Sequence, residues 1–400
     1  MAGMLVLTRE CEQAVRIGTD VLVKVVGVRG ERVRLGFEAP PGVIIDREEI
    51  HQDKLKNPRP AGGHQSLGPS PNRERGTLFP SPTRERGSDR QPGVGDATSM
   101  ALLVTGSIGI DDVKTPHGAV QGVYGGSAVY FSLAAQLFTP VRFVGVVGED
   151  FPADFRTYLG KQKIDLAGLE VRKGSKTFRW SGSYAGENAD AETTAIELNV
   201  LAEAGPKIPP QFAESQFVFL AATHPALQKD LVRQLKSPKF IMADTRDLWI
   251  NTQRAGLMEV FKLVNGVIMN DFEARLLTGE TNLVLAGRRI LEFGPQYVVI
   301  KKGEHGSMLV SRDSVAVLPA YPTTHVVDPT GAGDSFAGGM MGYLATHDDL
   351  DVNTLKQALA RGTVTASFTI EDFSMRRIEK ITPDDLQRRL GEYCAMLKLS

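Results

Sequence analysis

The sequence lacks several features that would identify a membrane, secreted or metal-binding protein. It has two cysteines among 400 residues, Cys11 and Cys394, which lie near opposite ends and do not have the spacing of a metal site. Such sparse cysteine is typical of a reducing compartment. No apolar run approaches the ~18 residues of a membrane span, and the start of the chain has no signal-peptide pattern. We therefore expect a cytoplasmic protein that does not bind membranes.

Strong charge of one sign is also absent. The 46 Lys and Arg residues balance 47 Asp and Glu residues, which gives a formal net charge of -1. This balance excludes a whole-molecule field that would steer nucleic acid, but it allows a local basic patch. The length exceeds that of a usual domain, so we expect two or more folded units. Composition divides the chain into three regions: 4–55, 56–99 and 100–400.

The first region has the pattern of short β-strands separated by turns. Apolar runs at Met4–Thr8, Val21–Val28 and Val43–Ile45, and an alternating run at Arg32–Phe37, predict strands. No long helix is predicted. Five small strands bury too little apolar surface for the module to be stable alone, so we expect a homodimer to complete its core.

The second region, 56–99, is rich in Pro, Gly, Ser, Arg and Glu and has few large apolar residues. It cannot bury enough surface to offset its conformational entropy, which predicts a disordered linker. A tandem repeat spans 66–76 and 77–87, and two polar copies are too few for a solenoid. A translated repetitive DNA element is the preferred interpretation, and a basic RNA-binding arm is the alternative.

From Met100 the pattern becomes that of an α/β fold. Short buried-type strands such as Ala101–Val104, Val141–Val147 and Tyr297–Ile300 alternate with helical segments. This alternation predicts a mainly parallel sheet that is covered by helices on both faces. Ligands in such folds bind beyond the carboxyl ends of the strands.

The sharpest motif is the segment 327–339, with the sequence VDPTGAGDSFAGG. Its glycines allow a tight turn, and the apolar stretch that follows predicts a helix. The amino end of that helix would offer unsatisfied N–H donors and a positive dipole to a phosphate. Asp334 in the first turn could then act as the general base toward an incoming hydroxyl. The predicted anion hole consists of Thr330, Gly331, Ala332 and Gly333.

This motif resembles the second signature of the PfkB family of carbohydrate kinases. Further matches occur in family order at 106–111, at the glycine pair 125–126, at the N-x-x-E segment 270–273 and at 302–306. Each alone has a simpler structural explanation, such as a turn or a helix capping box. Their ordered co-occurrence favours the family.

The resemblance implies a ribokinase-like three-layer α/β/α sandwich with a small β lid, to which Thr177–Tyr184 would contribute. It implies ATP-dependent phosphorylation of a hydroxyl on a small sugar-like or nucleoside-like substrate, with ATP and Mg²⁺ as cofactors. The residues that it assigns to substrate binding are Asp111, Gly125, Gly126 and Asp328. Those that it assigns to the nucleotide are Asn270, Lys302, Gly303, Glu304 and Gly306. Glu273 would hold the metal through water.

Two departures from the family pattern concern the acceptor. Tyr130 stands where the first signature usually has asparagine, and Gly109 replaces a frequent asparagine near Asp111. Both positions face the acceptor in the family, so a nucleoside or a modified sugar remains open. If Asp334 is not the base, Asp111 is the next candidate.

The first region resembles the carbon storage regulator (CsrA) family at both ends, 4–9 and 45–50, and at its centre, 35–40. That family forms an intertwined dimer and binds GGA-containing messenger RNA leaders to regulate translation. The resemblance implies RNA contacts from Leu7, Arg9 and Arg47, and an arginine fork suits guanine edges or phosphates. Asp46 beside Arg47 leaves a dimerising module without RNA affinity as the alternative.

Three interpretations of the whole chain follow. The preferred one is a fusion of an RNA-binding regulator and a small-molecule kinase through a disordered tether. A second makes the chain a translational regulator whose kinase-like domain senses metabolites, although a pure sensor need not keep Asp334, Asn270 and Glu273. A third is a read-through product, with a separate start at Met100.

Overall fold

The computed structural model describes residues 14–17, 21–29, 32–38, 101–186 and 191–398. The chain divides into two compact units, Met1–Ser88 and Asp89–Ser400. The strands predicted at 4–8 and 43–45, the linker at 56–99 and the RNA contacts at Leu7, Arg9 and Arg47 lie outside the described residues.

The described part of the first unit is an antiparallel sheet of three strands. They are β1 (Ala14–Ile17), β2 (Val21–Arg29) and β3 (Arg32–Glu38), in the order β1-β2-β3. Arg29 pairs with Arg32 across the hairpin, and the register shifts between Val25 and Gly27, as at a β-bulge. The strands predicted at 21–28 and 32–37 are confirmed.

The second unit is built on a nine-stranded sheet. Its strands are β4 (Leu102–Thr105), β7 (Val141–Gly148), β8 (Ile164–Arg172), β11 (Phe217–Leu220), β12 (Phe240–Asp244), β13 (Gly266–Asn270), β14 (Tyr297–Lys301), β15 (Ser307–Ser311) and β16 (Val315–Leu318). The order is β16-β15-β14-β13-β12-β11-β4-β7-β8. Pairing is parallel from β8 to β14 and antiparallel at β14-β15-β16, which confirms the mainly parallel sheet.

Helices cover both faces of this sheet. They are α1 (Ser127–Ala135), α2 (Ala153–Gly160), α3 (Pro225–Arg233), α4 (Asp247–Thr252), α5 (Arg254–Phe261), α6 (Asp271–Thr278), α7 (Leu283–Leu291), α8 (Ala332–Leu344), α9 (Val352–Thr369) and α10 (Pro383–Leu397). Alternate strand residues point to opposite faces, so Leu102 and Phe219 join a core with α1, α2, α8, α9 and α10. Leu103 and Val218 join a second core with α3 to α7. The sheet with one helix layer packed on each face gives the predicted three-layer arrangement.

A separate four-stranded sheet forms the lid. Its strands are β5 (Gly109–Thr115), β6 (Gly118–Gly125), β9 (Phe178–Ser183) and β10 (Glu192–Glu197), in the order β10-β9-β5-β6. Strand β9 lies within the predicted lid segment at 177–184. Asp111 lies on lid strand β5, where its backbone pairs with Trp180 of β9, so the lid carries this predicted substrate-binding residue.

Helix α8 packs unusually close to its neighbours. A Cβ atom at Gly338 would lie 2.3 Å from the Phe131 carbonyl oxygen, and one at Gly339 would lie 2.5 Å from Thr365 Oγ1. Glycine at both positions therefore lets α8 lie directly against α1 and α9. Within the described ranges, no helix combines the length and apolarity required to cross a membrane.

Candidate active site

Helix α8 begins at a tight turn whose geometry requires glycine. Gly331 precedes the helix with φ of 74°, a left-handed conformation that favours glycine. A Cβ atom here would lie 2.3 Å from the Tyr130 ring. Tyr130 is 2% exposed, and its ring supports the turn. The Ala332 N–H closes the turn by donating to the Pro329 carbonyl at 3.2 Å.

Two N–H groups of this turn are available to an anion. The Thr330 N–H is donated to Asp328 Oδ1 at 2.9 Å, and that of Ala332 is used within the turn. Those of Gly331 and Gly333 have no hydrogen-bond acceptor in the part of the chain that the structure describes. They lie at the amino end of α8, where the helix dipole favours negative charge. Of the four residues predicted for the anion hole, the two glycines thus have N–H groups without an acceptor, and binding of an anion there stays a prediction.

Asp334 lies in the first turn of α8, and its pKa is raised to about 7. Burial is the largest cause because it disfavours the charged carboxylate, and the negative charge of Asp244 adds to it. The positive charges of Lys301 and Arg246 act in the opposite direction. A carboxylate whose pKa is near neutrality suits a general base at physiological pH.

The structure adds two charged residues that motif analysis missed. Asp244 ends strand β12 and Lys301 ends strand β14, and Lys301 Nζ lies 3.1 Å from Asp244 Oδ2. Both strands are apolar up to that last residue. A charge at the carboxyl end of an otherwise apolar strand is the sequence signal that could have identified them.

Asp111 is buried against the glycine pair of the first signature. Its side chain carries an Oδ1 atom with no hydrogen-bond partner among the described residues. Burial, followed by the negative charge of Asp328, raises its pKa to about 7, and a hydrogen bond from the Gly126 N–H opposes this shift. A Cβ atom at Gly125 would lie 1.8 Å from Asp111 Oδ2, so only glycine fits there. One carboxylate oxygen is thus left for a hydroxyl donor.

Asp328, which the resemblance assigns to substrate binding, also holds two backbone segments together. It is buried, and its two oxygens accept the N–H groups of Thr330 at 2.9 Å and Ser374 at 3.0 Å. Ser374 also donates its hydroxyl to the Tyr124 carbonyl at 2.8 Å. Asp328 therefore positions the turn, and its predicted contact with the substrate stays a prediction.

The N-x-x-E segment forms a capping box at the start of α6. Asn270 Oδ1 accepts the Glu273 N–H at 2.7 Å, and Glu273 Oε2 accepts the Asn270 N–H at 2.8 Å. Burial, followed by the charge of Asp244, raises the pKa of Glu273 to about 7. The simpler structural explanation of this motif therefore holds, and one carboxylate oxygen of Glu273 lies outside the capping box.

These residues fit an indirect role toward a metal ion. The described ranges contain no group of three or more His, Cys, Asp or Glu side chains that could hold a metal ion. Mg²⁺ usually keeps several of its waters in protein sites, so the second oxygen of Glu273 could bind one of them. When bound, Mg²⁺ would neutralise charge on the phosphates.

The segment predicted to contact the nucleotide forms a compact turn after β14. The Lys302 N–H donates to the Gly306 carbonyl at 2.8 Å, and Gly303 has φ of 55°. A Cβ atom at Gly306 would lie 2.0 Å from the Leu318 carbonyl oxygen, and Glu304 is exposed. The turn is well defined, and its contact with a nucleotide stays a prediction.

A cleft of about 320 Å³ lies between the lid and the carboxyl ends of β4, β11 and β12. Phe178 enters it from lid strand β9, and His224 and Trp249 from the main sheet side. The rings of His224 and Trp249 meet edge to face with centroids 5.0 Å apart. Arg246 also lines the cleft and acts electrostatically on Asp334. Arg246 thus connects the cleft electrostatically to Asp334, and three of the residues that line the cleft carry rings.

Comparison with known proteins agrees with this geometry. Residues 94–380 match the model of the pfkB family carbohydrate kinases. The chain belongs to the PfkB family. Residues 4–56 match the CsrA model of the global regulator protein family, so a PfkB kinase domain and a CsrA-like module are fused in one chain.

Individual relatives resemble the two parts separately. A cytidine kinase from Thermococcus kodakarensis is 31% identical over 251 residues, which cover 60% of this chain and 88% of that kinase. A translational regulator CsrA from Bacillus velezensis is 48% identical over 53 residues, which cover 13% of this chain and 72% of the regulator. A putative ribokinase II from E. coli, solved with ATP and Mg²⁺, shares the fold with a TM-score of 0.60. It is 17% identical, and the match covers 73% of this chain and 99% of that one.

Replacing Asp334 with asparagine should lower the kcat of this PfkB kinase by ~10²–10⁴-fold, the usual contribution of a positioned acid–base group. Asparagine keeps the size and the capping capacity of the residue but cannot accept the proton. The KM values for ATP and acceptor should change little because ground-state contacts survive. Steady-state kinetics on the best acceptor checks this. A near-parental kcat would show that Asp334 is not the base and would make Asp111 the next candidate.

The ionisation of Asp334 should also appear in the pH dependence of kcat/KM for the parent enzyme. The base acts when ionised, and the pKa of Asp334 is raised to about 7, so kcat/KM should rise with pH below neutrality and level off above it. Because Asp111 has a similar pKa, the profile is repeated with Asp111→Asn, which should keep the rising limb. Loss of the limb in that variant, or a flat parental profile from pH 5 to 9, would contradict Asp334 as the titrating group.

Proposed function

We propose that residues 100–400 phosphorylate a hydroxyl of a nucleoside, with ATP as donor and Asp334 as base. The cleft beyond β4, β11 and β12 carries the proposal, because aromatic and apolar side chains are prominent in its lining. A sugar alone would leave those side chains uncovered. The similarity to a cytidine kinase supports the same substrate class.

The chemistry follows from the positions of the side chains. Asp111 would hold a sugar hydroxyl of the acceptor through its unpartnered Oδ1. The reacting hydroxyl oxygen attacks the terminal phosphorus of ATP, the bond from that phosphorus to ADP breaks, and the proton passes to Asp334. The N–H groups of Gly331 and Gly333 would stabilise the charge on the transferred phosphoryl oxygens.

ATP would lie on the opposite side of the turn, near Asn270 and the Lys302–Gly306 turn. Asn270 and Glu273 end and follow strand β13, and Lys302 follows the adjacent strand β14. This arrangement places both segments at one edge of the sheet beside α8. Mg²⁺ would be held through water by Glu273. Closure of the lid would exclude water and so limit hydrolysis of ATP.

The aromatic cleft suits the base of the nucleoside. Its volume of about 320 Å³ falls in the range of about 300–1,000 Å³ that is usual for ligand pockets. Phe178, His224 and Trp249 offer ring surfaces on which a planar base can stack, and such stacking is worth about 1–3 kcal/mol per base. The Nε1 atom of Trp249 has no hydrogen-bond partner among the described residues.

Nucleosides should therefore be better acceptors than free sugars, and Trp249→Ala should reduce that advantage. Loss of a stacking surface should raise the KM for nucleosides by about 10–100-fold, while kcat changes less. Turnover with cytidine, uridine, inosine, adenosine, ribose and fructose measures it. Trp249→Phe, which keeps a ring, and Leu285→Ala, a 52% exposed residue on α7, serve as controls. Faster turnover of a free sugar, or binding without turnover, would contradict the proposal.

We further propose that residues 4–55 form a homodimer that binds GGA-containing messenger RNA leaders, through Leu7, Arg9 and Arg47. The match of residues 4–56 to the CsrA family and the similarity to a translational regulator support this. Residues 56–99 would act as a flexible tether, so the two activities should be energetically independent. ATP and messenger RNA are both cytoplasmic, and we propose that location.

Arg47→Ala should abolish binding of a GGA-containing hairpin RNA and leave kinase activity unchanged. The reason is that the guanidinium fork supplies paired hydrogen bonds that alanine cannot make. A gel shift at stated salt measures RNA affinity, since phosphate contacts depend on salt. Arg84→Ala in the tandem repeat is a matched control for the loss of one positive charge. Unchanged RNA affinity in Arg47→Ala, or no affinity in the parent, would argue against the regulator.

A further inference from the structure

Lys301 is a buried cation that none of the sequence motifs includes. It is the last residue of β14, and its Nζ donates to Asp244 Oδ2 at 3.1 Å. The Lys301 side chain is 19% exposed and that of Asp244 is 5% exposed. An ammonium carries three N–H donors. Asp244 is its one hydrogen-bond partner among the described residues, which leaves donors of a largely buried ammonium unused.

The ammonium lies directly against the catalytic turn. A Cβ atom at Gly333 would lie 3.1 Å from Lys301 Nζ, so a larger residue there would crowd the charge. Gly333 is one of the two residues whose N–H groups are free to bind an anion. The lysine and the free N–H groups therefore converge on the amino end of α8.

The surrounding charges come from several elements. Asp244 on β12, Glu273 on α6 and Asp334 on α8 all raise the pKa of Lys301, while burial lowers it, and the net shift is upward. Lys301 therefore stays protonated at neutral pH. A cation with unused donors beside an anion-binding turn has the properties required of a phosphoryl ligand.

We propose that the Lys301 ammonium contacts the phosphoryl group during transfer, and that Asp244 holds it in place for that contact. The proposal depends on phosphoryl transfer by this domain but not on the identity of the acceptor. Lys301 would be a catalytic residue and Asp244 a positioning residue.

A purely structural ion pair makes a different prediction. Replacing both members of a buried pair with uncharged residues is often neutral or stabilising, whereas removing one member is costly. If Lys301 only compensates Asp244, the double variant Asp244→Asn with Lys301→Met should recover activity that the single Lys301→Met variant loses. If Lys301 contacts the phosphoryl group, the double variant should remain slow.

The experiment compares the full-length parent with Lys301→Met, Lys301→Arg and the double variant, using the acceptor with the highest turnover. Lys356→Met, at an exposed position on α9, is the matched control for the loss of one lysine charge. For Lys301→Met we expect kcat to fall about 10²–10³-fold, as for loss of one preorganised donor, with a smaller change in acceptor KM. Lys301→Arg should restore part of the loss, and the double variant should not. Thermal unfolding of each variant identifies any that fail to fold.

A binding measurement separates transition-state contact from general damage. Calorimetry measures the affinity for ADP alone and for ADP with aluminium fluoride, each with Mg²⁺ and acceptor, since the fluoride complex mimics the transferred phosphoryl group. We expect Lys301→Met to bind ADP like the parent and to lose affinity for the fluoride complex by a factor similar to the loss in kcat. Near-parental kcat in Lys301→Met, recovery in the double variant, or equal loss of both affinities would each overturn the proposal. If the single variant does not fold, the folded double variant decides by the same two measurements.

Discussion

The site depends on how closely helix α8 approaches helices α1 and α9. Glycines at 338 and 339 remove the side chains that would separate these helices, and a fixed helix axis fixes the N–H groups at its end. A larger residue would push α8 outward because packed interiors do not absorb extra volume without backbone shifts. The turn before α8, whose residues are only partly buried, is thus positioned by packing in the core.

Burial accounts for the proton affinities of the site. Asp111 on β5, Glu273 on α6 and Asp334 on α8 each have a pKa raised to about 7, and desolvation is the largest cause for all three. Asp111 belongs to the lid, and Glu273 and Asp334 belong to the helix layers on opposite faces of the sheet. The raised pKa values therefore result from the packing of the lid and both helix layers, and not from any single motif.

Strand and helix periodicity predicted the mainly parallel sheet with helices on both faces, because both reflect local residue patterns. The three-layer arrangement and the lid were expected only from the resemblance to the PfkB family. The turn at Gly331 was equally readable, since a left-handed residue before an apolar helix leaves few alternatives to glycine. Contacts between residues that lie far apart in the chain could not be predicted from the sequence. The resemblance assigned Asp328 to the substrate but could not show that its oxygens also accept backbone N–H groups, one of them 46 residues away at Ser374. Lys301 and Asp244 were overlooked for the same reason, since they meet across strands that lie far apart in the chain.

Two sets of hydrogen bonds connect the lid to the turn that precedes α8. Tyr184, which follows lid strand β9, has its hydroxyl 3.0 Å from Thr330 Oγ1, and Ser374 connects Asp328 to the Tyr124 carbonyl on lid strand β6. A lid motion that lengthened either of these hydrogen bonds would remove a support from the turn. The position of the lid therefore affects how firmly the turn before α8 is held, in addition to how far solvent can reach it.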